Sequence, residues 1–458
     1  MNPLAAAALV GWIPISIALF AVFAPRTATL ISILGGWMFL PEYKIITSGL
    51  PDYTKGAAVA LGALLGLACF GGRHLTGLRP GRHDLPMLAW CLVPAAASLA
   101  NGRGANDAIA VTLARLLQWG IPYLVGRAVF RGPDDLTALA KGLFVSGLVY
   151  APFCLWEVRM SPQLHAMVYG FAQHSFVQCL RMGGYRPMVF MEHGLMVGLW
   201  MTVATAAGFS LWRYGGLRRL GRLPAGPLLL ALLVSTLLCK STGALALLVL
   251  VAAAIAGTHA LRSRLPLQAM IAAPALFVFA RVGLGWEAKD FTSMLESWAP
   301  DRAHSVQFRI HAEHAMLSAI WRKPLLGWST WGVDPALDAR DFAEPVVRDS
   351  YWIITASNSG LVGLALFFVL FCAPLLALVR RTPVDDWRSP RFAGTVAMAL
   401  ALWAFVCDCL FNAMINPAYI IALGGVTSLA ARVPALAGAG PRPLVVPARA
   451  QRPVHCRP

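Results

Sequence analysis

Charge at membrane depth is costly and tends to be functional, and the outward-facing candidates are Arg186, Glu192, His193, Lys240, Arg309, Glu313 and Asp349. The cations among them suit an anionic group, because an arginine fork takes phosphate or carboxylate oxygens in pairs and a lysine acts as a point charge. The carboxylates suit proton abstraction from a hydroxyl, provided they are ionised and aimed correctly. Structural explanations compete with each of these. Arg186 and Lys240 can snorkel towards lipid headgroups. Arg309 and Glu313, four apart on one helix face, can form a surface ion pair worth roughly 0.2–0.5 kcal/mol. Arg115 and Asp408 lie within apolar runs and are expected to pair inside a bundle.

The elements that must position these residues are helices in a membrane. Of 458 residues, 58% are hydrophobic and only 13% charged, with a mean hydropathy of +0.64. A soluble chain of this length needs far more polar surface. Apolar runs fall at about 4–24, 28–40, 56–70, 85–100, 107–125, 140–156, 188–212, 226–239, 243–258, 266–283, 352–379, 392–411 and 415–431. They predict an all-α, polytopic helical bundle with about 12 or 13 spans. The run at 28–40 is short and suits a re-entrant segment. The pair 226–239 and 243–258 predicts a hairpin with Lys240 at its tip. The first run lacks a basic flank and reads as a span rather than a cleaved signal.

The net charge of +17 raises the possibility of nucleic acid, but its distribution argues against it. Seven regions hold 22 of the 38 Lys and Arg: 26, 73–82, 127–141, 213–222, 262–264, 380–391 and 432–457. The alternate short connections hold four, Lys44, Lys55, Arg103 and Lys240. This alternation predicts cytoplasmic basic loops and a cytoplasmic C-terminus. The chain then divides into an N-terminal bundle (1–283), a large outer loop (284–351), C-terminal helices (352–431) and a disordered tail (432–458). The N-terminal side is left open. No internal repeat supports an inverted-repeat transporter.

The large loop carries ten of the 21 acidic residues and no cysteine, so no disulfide staples it. Within it, Arg309 to Trp321 predicts an amphipathic helix, lying on the membrane or packed on the bundle. His311 and His314 are three apart, a weak metal signal. No metal or other cofactor is expected. Pro324 ends the helix, and Gly327 and Gly332 permit tight turns before an acidic segment that ends at Arg348-Asp-Ser-Tyr-Trp352.

The order of Arg309, an amphipathic helix, Pro324-Leu-Leu-Gly-x-x-x-x-Gly332 and Gly360-Leu-Val-Gly-Leu364 resembles the O-antigen ligase/polymerase superfamily. Upstream, Tyr185-Arg-Pro-Met-Val-Phe-Met-Glu-His-Gly194 is similar to that family's arginine at the mouth of a middle span. Cys239-Lys-Ser-Thr-Gly-Ala-Leu245 is similar to its Ser-Arg-Gly-Ala hairpin tip, with Lys240 replacing the arginine. The resemblance covers about 120–380. It implies a bacterial inner-membrane glycosyltransferase, metal-independent, that moves glycans from a polyprenyl-pyrophosphate carrier onto an acceptor hydroxyl. Partners implied are the lipid-linked oligosaccharide, the bilayer and other polysaccharide-assembly proteins, with no nucleic acid. Arg309, Arg186 and Lys240 would hold the pyrophosphate, with His193 among the substrate-binding residues. The family has His-Asn before the span that follows the loop. Here Asp349-Ser350 stands there, so Asp349 is the candidate base and Glu313 the second choice. A lipid-linked glycan flippase and a non-catalytic assembly subunit are the rival readings. Ser357 and Ser359 offer no convincing protease site.

Overall fold

The computed structural model describes residues 2–287, 289–298, 307, 309–310, 313, 316–329, 349–383 and 385–437. Every predicted apolar run contains a helix, with 188–193 forming a turn ahead of its own. Thirteen main helical segments stand at these runs, beginning with α1 (Pro3–Val22), α2 (Pro25–Leu30, carried through a π-turn at Ile31–Gly35 into Gly36–Phe39) and α3 (Lys55–Phe70). Next come α4 (Leu85–Ala100), α5 (Ala105–Arg115, carried through a π-turn at Leu116–Gly120 into Ile121–Val129) and α6 (Pro133–Met160). Then follow α7 (Gly194–Arg213), α8 (Ala225–Leu238), α9 (Thr242–Leu261) and α10 (Leu265–Gly283). After the large loop come α11 (Tyr351–Arg381), α12 (Ala393–Asp408) and α13 (Pro417–Ala437). Among the described residues, seven helices are long and apolar enough to cross a membrane, and three further apolar helices are shorter. The expected 12 or 13 full-length spans are thus met in seven helices. The run at 28–40 is helical through its π-turn and is not among the helices long enough to cross a membrane. The helix α13 continues to Ala437, past the predicted start of the tail, and 438–458 lie outside the described residues.

Local chemistry sets the helix starts. Asn2 caps α1 through Oδ1, which accepts from Ala5 N–H, and Thr54 caps α3. The helix α7 is central: 89% of its most apolar window is buried, and it packs on α6, α8, α9 and α12. Glycines bring α5 and α13 into backbone contact, where a Cβ on Gly126 would overlap the Ile421 carbonyl. Among the described residues the strands are three two-residue antiparallel ladders. These are β1 (Lys44–Ile45) with β2 (Tyr53–Thr54), β3 (Leu180–Arg181) with β4 (Gly184–Tyr185), and β5 (Arg219–Leu220) with β6 (Leu223–Pro224).

At one end of the bundle Arg26 pairs with Asp135 (2.9 Å), Arg127 with Asp84 (2.8 Å), and Arg264 donates to the Arg380 carbonyl (2.9 Å). At the other end Asn2 donates to the Tyr169 carbonyl (2.5 Å) and Asn101 to the Gly327 carbonyl (2.9 Å). Asn2 therefore shares an end with the large loop.

The large loop docks on the bundle through backbone and side chains. Its backbone is helical at 309–310, at 313 and over 316–322. Met316 and Ile320 are buried against Val278, Trp352, Ile353 and Ala356, so this face packs on α10 and α11. Beyond it, α11 is broken at Gly360 (φ 64°, ψ −167°). The broken turn exposes backbone groups that the loop fills. Trp328 N–H donates to the Ser357 carbonyl (2.8 Å) and Ser329 N–H to the Asn358 carbonyl (3.0 Å). In return Leu361 N–H donates to the Pro324 carbonyl (2.7 Å) and Val362 N–H to the Leu325 carbonyl (3.3 Å).

Candidate functional site

The site is built around the N-terminus of α7. The β3–β4 ladder delivers the chain to Arg186, and residues 188–191 then form a turn gripped from several directions. Tyr150 Oη accepts from Phe190 N–H (3.0 Å), and Lys55 Nζ donates to the Phe190 carbonyl (2.7 Å). Gln173 Nε2 donates to the Val189 and Met191 carbonyls (3.1 and 3.2 Å). The buried Glu157 carboxylate takes Met188 N–H and Val189 N–H (2.8 and 2.7 Å).

His193 ends this turn and caps α7. Its Nδ1 accepts from Leu195 N–H (3.0 Å), which puts the ring proton on Nε2, facing Gln178 Oε1 (2.8 Å). Both ring nitrogens are thus occupied, leaving none for a substrate in this arrangement. Burial pushes the imidazole down to about 4, helped by His174, Arg186, Arg181 and Arg309, so the cap is neutral.

Three cations predicted from sequence reach this end. Arg186 is 5% exposed and lies across Gly194, where a Cβ would overlap its side chain. Lys240 sits at the tip between α8 and α9 with φ 52°. Its Nζ lies over Gly184 and 3.5 Å from the Met182 carbonyl, so it reaches the ladder that carries Arg186. Arg309 Nε stands 3.5 Å from Asp349 Oδ2, longer than a hydrogen bond, with Asp349 39% exposed. Asp408 is within electrostatic reach of Arg309, and its Oδ1 accepts from Asn412 Nδ2 (2.6 Å).

Three expectations need correction or fall outside. Arg309 and Glu313 do not pair with each other. Glu313 is buried, 3.4 Å from Arg281 Nη2, and its Oε1 accepts from Ser350 Oγ (2.7 Å). Burial pushes its carboxyl up, with Ser350 and Arg281 pulling it back. In this position it holds the loop and does not meet the cations. Arg115 does not pair with Asp408: it donates to Tyr351 Oη (3.0 Å) and lies 4.3 Å over the Trp90 ring. His311, His314, Gly332 and the acidic segment before Asp349 lie outside the described residues. Among the described residues, no group of three His, Cys, Asp or Glu could hold a metal ion.

The Arg281–Glu313 pair carries its own prediction. Arg281 and Glu313 side chains are 1% and 5% exposed, so each alone would be an uncompensated buried charge. Arg281→Met should destabilise the docked loop by about 3–5 kcal/mol, and adding Glu313→Leu should recover much of that. Thermal unfolding in detergent measures both. An Arg281→Met protein as stable as wild type would mean that the pair is solvated.

Glu157, Lys55 and Arg281 escaped sequence reasoning as site-building residues. Each is a lone charge at the edge of an apolar run, a signal that marks cost without naming a partner.

The fold defines an all-α polytopic protein whose apolar helices suit contact with a lipid bilayer, with a cationic cluster at one end. No family model matches the chain, and neither does any curated protein.

Proposed function

We propose that this protein is a membrane glycosyltransferase that takes a glycan from a polyprenyl-pyrophosphate carrier and transfers it to an acceptor hydroxyl at the outer face of a bacterial inner membrane. One observation carries the reading: Arg186, Lys240 and Arg309, far apart in sequence, gather at one end of the bundle with the exposed carboxylate of Asp349. On this reading the cations hold the pyrophosphate. The acceptor oxygen bonds to the anomeric carbon while the bond from that carbon to the pyrophosphate oxygen breaks. The acceptor proton goes to Asp349, and the fixed cations take up the negative charge that grows on the leaving group. The opposite end, which carries Arg26, Arg127, Arg264 and Arg380, is then cytoplasmic.

Asp349→Asn keeps the shape and removes the proton acceptor. Transfer should fall about 100- to 10,000-fold at unchanged protein level. In cells, long polymer should be lost while short lipid-linked units build up outside the membrane. Intermediates trapped inside would point to a flippase instead. Unchanged polymer would move the weight to a non-catalytic assembly subunit.

A further inference from the structure

The Glu157 carboxylate is fully buried at the end of α6 and is spent entirely on backbone. Oε1 accepts from Leu164 N–H (3.0 Å), and Oε2 accepts from Met188 N–H (2.8 Å) and Val189 N–H (2.7 Å). It thus ties two parts of the 161–193 connection to one helix end. Val189 has φ 53°, a conformation that β-branched residues rarely adopt and that persists only where surroundings enforce it. Its enforced turn separates Arg186 on one side from His193 on the other. A carboxylate accepts at both oxygens, whereas an amide accepts at one and donates at the other. The Glu157 carboxyl therefore meets all three N–H groups, whereas a Gln amide in its place accepts only at its carbonyl oxygen.

We propose that Glu157 is a positioning residue: by holding the Met188–Val189 turn it sets where the Arg186 guanidinium stands against an anionic phosphate group. The use of that phosphate rests on the function proposed above. The turn itself does not, so the two can be tested apart.

The variant is Glu157→Gln in the full-length protein in detergent. In the first arm, hydrogen exchange is followed in peptides covering 186–193. Protection there should drop at least tenfold in the variant, while α7 and α6 peptides keep theirs. Unchanged protection at 186–193 would overturn the proposal. In the second arm, farnesyl pyrophosphate binding is measured for wild type, Glu157→Gln, Arg186→Ala and the double variant. Glu157→Gln should weaken binding about as much as Arg186→Ala does, and the double variant should be no weaker than Arg186→Ala alone. Additive losses would mean that Glu157 acts on folding in general and would overturn the positioning role. Wild type that fails to bind the pyrophosphate would overturn the proposed function, with the exchange arm still judging the turn. If Glu157→Gln does not accumulate, Glu157→Asp, which keeps both acceptor oxygens but shortens their reach to Met188 and Val189, replaces it in both arms with the same expectations.

Discussion

Gly360→Ala should undock the large loop and abolish transfer, the largest effect expected from any single methyl group in this chain. Two physical terms add. First, φ 64° with ψ −167° is a region essentially reserved for glycine, and an L-residue there costs about 1–3 kcal/mol. Second, the new Cβ would overlap the Leu325 carbonyl and the Leu326 nitrogen. Relieving that overlap separates α11 from 324–329 and breaks the four backbone hydrogen bonds between them, each worth about 0.5–1.5 kcal/mol. Gly327→Ala should behave alike, because its Cβ would overlap the Ser357 carbonyl and Gly360 N. The two losses should not add, since either breaks the same contact. Thermal unfolding with limited proteolysis of the loop measures this. A Gly360→Ala protein with wild-type loop protection would show that the close approach does not exist.

Arg186→Ala should lower transfer about 100- to 1,000-fold, the scale of removing one fixed electrostatic stabiliser from a site that excludes water. Arg186 is almost fully buried beside Gly194, so its guanidinium is held rather than waving in solvent. Arg186→Lys should recover only part, because an ammonium lacks the planar fork. Arg309→Ala should fall in the same range, since it also releases Asp349. The check is transfer from a lipid-linked donor at matched protein level. Activity within twofold of wild type for both alanine variants would remove the pyrophosphate role from these arginines.

The sequence made the helices legible because long apolar runs leave the backbone few alternatives in lipid. The gathering of basic connections was legible for a related reason: charge alternates with every pass. Pairings were not legible. Arg115 and Asp408 are both lone intramembrane charges, but which neighbour each meets depends on helix rotation, and Arg115 meets Tyr351 and Trp90. Glu313 lies one turn from Arg309 along the chain, yet its partner is Arg281, 32 residues away. His193 could be noticed as a polar residue at a span mouth, but its role as a helix cap requires knowing where α7 starts. The spaced glycines at 327 and 360 were visible, while their mutual contact was not.

The joint between the loop and α11 is made of main-chain atoms. The leucines along 324–329 have little part in it: Leu325 points to the surface and Leu326 is only half-buried. Such a joint constrains descent very unevenly. Two glycines and their separation must be kept, while exposed positions such as Leu325 are free to drift. Chains could therefore part company in spelling long before they part company in architecture.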